Sequence, residues 1–124
     1  MVKVVYRDKK EMNFSTADAI FVAQIKEDFE KNTLFYIQIE LEDGSMLIEF
    51  GDKCCNIQMD NEELGEIYGF INPDGNSDVS VDLWANSYLE NMICYNIDDI
   101  TKIILTYIIK GVPDSDYQWD ISDM

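Results

Sequence analysis

The apolar positions of this chain fall into two rhythms, and the first is clearest over residues 33–50. Phe35, Ile37, Ile39 and Leu41 alternate with Leu34, Tyr36, Gln38 and Glu40, the two-residue period of a half-buried strand. Asp43 and Gly44 then predict a tight turn, since both residue types tolerate positive φ. Met46, Ile48 and Phe50 carry the return strand in phase. Further short strands are expected over Val2–Tyr6, Cys54–Met59, Gly65–Ile71, Ser77–Ala85 and Ser87–Tyr95, separated by polar or turn-forming stretches. In Ser77–Ala85 the inward set is Val79, Val81 and Leu83, which leaves Asp78, Ser80, Asp82 and Trp84 outward. Arg7–Asn13 and Asp60–Leu64 read as loops.

The second rhythm is helical. Ile20, Phe21, Ile25 and Phe29 predict a helix over about 15–31, with Ser15 as its cap and Asp18 reaching back in a capping box. Ile100, Ile103, Ile104, Tyr107 and Ile108 predict a second over about 97–110. Asn96 caps it, and Asp98 and Asp99 complement the positive end of its dipole. Lys110 suits the negative end, Gly111 takes the left-handed cap, and Pro113 prevents resumption. Leu105 and Ile109 widen the apolar stripe, so burial on more than one side is expected. A short aromatic segment, Tyr117–Ile121, follows. The order β, α, several strands, α predicts an α+β fold, an antiparallel meander with two helices packed on it, in a single domain spanning 1–124.

Charge changes the picture most. The net value is −16, and it is uneven. Over residues 1–31 six cations balance six acids, whereas over residues 32–124 three lysines face nineteen acids. So much negative charge disfavours nucleic acid or an anionic membrane as partner and favours a basic protein. Trp84 and Tyr88 stand among those acids, the composition of a hot spot for a basic partner. Alternatively, a second layer covers that face and Trp84 belongs to the core.

Dedicated chemistry is not visible. The chain has no histidine, which removes the commonest general base and the Ser–His and Cys–His pairs. The glycines are scattered, so no phosphate loop is present. Asp74, Asn76 and Asp78 resemble the start of a calcium loop, but Val79 and Ala85 occupy its Gly and Glu positions. Carboxylate pairs of the glycosidase kind carry no specificity among 25 acids. Cys54, Cys55 and Cys94 read as reduced buried thiols, and a zinc site lacks a fourth ligand. No cofactor, metal or enzymatic activity is expected. With no apolar stretch near the ~20 residues of a bilayer span, and no targeting segment, a cytoplasmic location is expected.

Over residues 65–121 the chain resembles the first-numbered immunity protein family of bacterial polymorphic toxin systems. The likeness lies in the aromatic strand Ile67–Ile71 running into Asn72, Pro73, Asp74 and Gly75. It lies also in the acidic start of the second helix, then Gly111, Pro113 and Trp119. Lys110 departs from the pattern, which often has Thr there. The resemblance implies a protein that binds the basic C-terminal domain of a cognate toxin, a nuclease or nucleic-acid deaminase, and occludes its cleft. The residues expected to meet it are Asp60, Glu62, Glu63, Glu66, Asp74, Asp78, Asp82, Trp84, Tyr88, Glu90, Asp114 and Asp116. Gly111, Pro113 and Trp119 are expected to be structural. The alternative is an acidic adaptor or DNA mimic acting on a cellular nucleic-acid-binding protein.

Overall fold

Asp18, not Ser15, starts the first helix. In the computed structural model, which describes all 124 residues, α1 runs Ala19–Glu30 and the Asp18 side chain accepts the Phe21 N–H at 3.1 Å. Ser15 lies instead just past β2 (Glu11–Phe14), a strand that pairs with β1 (Val2–Tyr6). Residues 11–13 were expected as loop. They are exposed on an edge strand, so they carry no apolar alternation to read.

β3 (Leu34–Leu41), β4 (Gly44–Gly51), β5 (Cys54–Asn61) and β6 (Glu66–Ile71) form the predicted meander. β9 (Gln118–Asp123) joins β6, and the seven-stranded order is β2-β1-β3-β4-β5-β6-β9, antiparallel throughout. The fold is thus α+β.

The register fixes two faces. Val4, Ile37, Ile48 and Ile57 lie across one row, and Val2, Ile39, Met46, Met59 and Tyr68 across the next. All are buried and share one core with Phe21, Ile25 and Phe29 of α1. α2 (Ile97–Lys110) adds Ile100, Ile103, Ile104 and Tyr107 to it. Both helices therefore cover the same side of the sheet. α2 has the predicted bounds and caps: Asn96 accepts from Asp98 and Asp99 N–H at 2.8 and 3.2 Å, and Gly111 ends it at φ 69°. Its stripe is narrower than expected, since Ile109 is 78% exposed.

The segment after β6 departs most from expectation. Only β7 (Ser80–Asp82) and β8 (Ser87–Leu89) are extended, and they pair as a separate hairpin. A single 3-10 turn, Glu90–Met92, interrupts the expected strand Ser87–Tyr95. Cys94 then bridges Cys55 with backbone bonds of 2.9 and 2.8 Å. The hairpin lies over one end of the sheet's other face, where Leu83, Cys54 and Ile93 make a second small core. Val79 stays exposed because the strand begins after it.

Candidate interaction surface

The turn between β3 and β4 and the turn between β5 and β6 lie side by side, tied by the Glu62 N–H to the Asp43 carbonyl at 2.6 Å. β9 ends beside the start of β6, with Asp123 opposite Glu66. Topology thus gathers Glu40, Glu42, Asp43, Glu62, Glu63, Glu66 and Asp123 at one end of the sheet. None makes an ion pair with lysine or arginine. Lys110 lines the same hollow as Glu42, Asp43 and Glu63, yet pairs with none of them. The six ion pairs of the molecule use six acids, so nineteen of 25 carboxylates have no cation partner.

Cations gather at the opposite end. Arg7, Lys9 and Lys10 occupy the β1–β2 turn, Lys31 follows α1, and Lys53 sits in the β4–β5 turn against Glu30. There Arg7, Lys10 and Lys31 share a hollow of about 610 Å³ with Asp8, Glu11 and Asp28. Asp28 is buried, and accepts from Tyr6 Oη at 2.7 Å and Gln24 Nε2 at 3.0 Å. Burial and that carboxylate push the Tyr6 phenol well above its ordinary value. The molecule is therefore polar in charge along the strands, mixed at one end and predominantly acidic at the other, where Lys110 and the Met1 ammonium are the cations.

The structure distributes the sequence-expected residues over several places. Glu62, Glu63 and Glu66 belong to the acidic end, and Asp60 stands next to it on β5, opposite Ile67. Asp60 is fixed there by Ser45, whose N–H and Oγ both donate at 3.1 Å, and Glu66 accepts from Tyr68 Oη. Asp74 and Asp78 are exposed at the far end, in the loop after β6. Asp82 accepts from Ser87 Oγ at 2.6 Å, and Glu90 accepts the Asn76 N–H at 2.9 Å. Trp84 is neither core nor free. It is 39% exposed, and the Arg7 guanidinium lies 3.7 Å from its ring centroid. The cation it meets comes from its own chain.

Asp114, expected among the residues that meet a partner, is buried in the chain itself. The chain from 112 to 117 runs back along α2, which buries Asp114 against Thr106 and places Asp116 on Lys102 and Tyr117 on Asp99. Thr106 Oγ1 donates to the Asp114 carboxylate at 2.8 Å and the Asp116 N–H at 2.9 Å. Burial alone would raise its pKa. Those two donors, with Lys102 and Lys110 nearby, outweigh burial and hold it below the ordinary carboxylate value. Gly111 and Trp119 take structural places, the latter donating Nε1–H to the Asp114 carbonyl at 2.9 Å. Pro113 is half-buried beside them.

Reading the sequence missed the open face of the sheet. The register sets Gln38, Leu47, Gln58, Gly69 and Asp120 in one row there, and Glu40, Ser45, Asp60, Ile67 and Ser122 in the next. Leu47 and Ile67 are 39% and 40% exposed, and nothing lies within 4 Å of where a Cβ on Gly69 would sit. Glu49, also on this face, accepts from Asn86 Nδ2 at 2.9 Å and from Tyr88 Oη. Burial and this carboxylate push the Tyr88 phenol up to about 12. The signal was available in part: Leu47 and Glu49 are out of phase with Met46, Ile48 and Phe50.

Chemically this surface offers pre-placed negative charge around a little exposed apolar area. It does not bring three His, Cys, Asp or Glu side chains together as a metal site. The three thiols are buried and free, and burial holds that of Cys55 well above its ordinary value. No helix is long and apolar enough to cross a membrane. The fold and this surface define an acidic α+β chain with one uncovered sheet face. No family model matches it, and neither a curated protein nor a solved structure does.

Proposed function

We propose that this chain is a binding protein that neutralises a cationic protein domain by covering it, as an immunity protein covers its toxin. The observation that carries the reading is the acidic end: seven carboxylates gathered by five strands, with no lysine or arginine paired to any of them. Folding gains nothing from such an array, because like charges repel. A cationic surface of the kind that holds phosphates is its electrostatic complement. The short motifs over residues 65–121 point the same way. The partner is then a toxin domain encoded beside this chain, and the mechanism is occlusion without chemistry.

The test is the association rate of the purified chain with that cationic domain, followed by stopped flow. Raising ionic strength from about 0.01 M to about 1 M shrinks the Debye length from about 30 Å to about 3 Å. The on-rate should fall at least about tenfold across that range. Equal rates at both ends would refute electrostatic capture. A chain that binds the domain yet leaves its toxicity intact would refute occlusion.

A further inference from the structure

Where the tip of the β7–β8 hairpin meets the open face there is a hollow of about 380 Å³. Phe35, Tyr36, Leu47 and Ala85 give it apolar surface, and Gln38 and Glu49 are its polar lining. Glu49 is the unusual member. Its carboxylate is held by Asn86 and Tyr88, both neutral donors, and no lysine or arginine pairs with it. A carboxylate has about four acceptor sites, so two donors fix its position and leave room for more. Its charge is placed but uncompensated.

We propose that this hollow seats one arginine side chain of the basic partner, with Glu49 as the carboxylate that meets the guanidinium. The source of the arginine rests on the function proposed above; the seat rests on the geometry alone. The aliphatic stem would cover Leu47, which now meets water. The guanidinium plane would lie on the Tyr36 ring, a stacking that lysine cannot reproduce. Lys3 Nζ, 6.0 Å from that ring's centroid, is turned to Glu11 at 3.5 Å, and that carboxylate offsets its repulsion of a second cation. Elsewhere in the molecule the same pairing of chemistries occurs in Arg7 on Trp84. Because the hairpin already orders Glu49, little freedom remains to be lost on binding. An anion is excluded by the carboxylate.

The experiment titrates capped arginine (Nα-acetyl-arginine methylamide) into the full chain and follows backbone amides by NMR. Capped citrulline, of the same shape but uncharged, is the control. Shifts should centre on residues 35–38, 47–49 and 85–88, and citrulline should produce none. Glu49→Gln should weaken binding at least about tenfold, the scale of one charged contact. Tyr88→Phe, which keeps the charge but loosens it, should weaken it less. The amide spectra of both variants report that the fold is intact. Equal binding of citrulline, unchanged binding in Glu49→Gln, absence of any shift, or shifts centred on residues 42–43 and 62–65 would each overturn the seat. A cationic partner that binds the parent and Glu49→Gln equally well would sink the seat and leave the proposed function standing. Arginine in the hollow of a chain that binds no cationic protein would do the reverse.

Discussion

Replacing Asp114 by Asn separates a structural carboxylate from an interface one. Asp114 is 6% exposed, and its two oxygens serve two donors, Thr106 Oγ1 at 2.8 Å and the Asp116 N–H at 2.9 Å. An asparagine has one oxygen, so one donor would face an NH2 group and the other would meet a neutral acceptor. A hydrogen bond to a charged group contributes about 1.5–3 kcal/mol, so the loss at neutral pH should be about 2–3 kcal/mol. The pH dependence carries a second test. The folded-state pKa of Asp114 is depressed, so the unfolded chain takes up its proton first as pH falls. Its stabilisation is therefore complete above the ordinary carboxylate range and is lost as pH drops through about 4 toward the folded value. Urea unfolding of parent and Asp114→Asn, followed by tryptophan fluorescence, should show the full gap at about pH 7 and a smaller one at about pH 3. A gap that stays constant with pH, or stays below about 0.5 kcal/mol, would refute the argument. If stability held and only partner binding fell, Asp114 would be an interface residue after all.

Two further substitutions test the core around the acidic end and the tail. A Cβ on Gly44 would stand 2.7 Å from Tyr107 Oη and closer still to the Asp60 carbonyl oxygen, to which Tyr107 donates at 2.9 Å. Gly44→Ala should cost about 1–3 kcal/mol in urea unfolding, and Tyr107→Phe should not rescue it, because the nearer obstacle is backbone; full rescue would show that the side chain was the obstacle. Trp119 is half-buried, edge-on to Phe70 with ring centroids 5.7 Å apart. Its truncation to Ala should cost about 2–3 kcal/mol, below the 3–5 typical of a wholly buried ring. A variant that unfolds like the parent would make β9 peripheral.

What could be read from sequence was whatever is decided locally. α2 was readable to the residue because Asn96, Asp98, Asp99 and Gly111 each act within one turn of their own position. α1 was misplaced at its start because two capping residues, Ser15 and Asp18, stand three apart, and it is Asp18 whose side chain accepts the Phe21 N–H. The stretch after Ser87 failed differently. Ile93 and Cys94 are both buried although adjacent, each by a different neighbour, which no single period describes. The tail acids looked like a surface run. The burial of Asp114 and the pairing of Asp116 depend on the chain doubling back along α2, a contact made eight residues away for Asp114 and fourteen for Asp116. Glu49 with its two hydrogen-bond partners was least accessible, since Asn86 and Tyr88 lie 37 and 39 residues away.

The division of labour in the molecule bears on why the acids are there. One face of the sheet and both helices supply the 21-residue core, and nearly all fold-determining apolar burial lies on that side. The opposite face and the end turns add little to it. Carboxylates concentrated at the acidic end, none paired with a lysine or arginine, oppose the compact state through mutual repulsion, so a core of this kind tolerates them rather than needs them. Were they present only for solubility, they would serve equally well dispersed, and interspersed cations would relieve the repulsion. Instead, five of the nine cations stand at the far end, at Arg7, Lys9, Lys10, Lys31 and Lys53, where several already have partners. Segregation of this kind gives the molecule a direction. A cationic partner approaching it meets attraction at one end and mixed charge at the other, which orients the encounter before any contact forms.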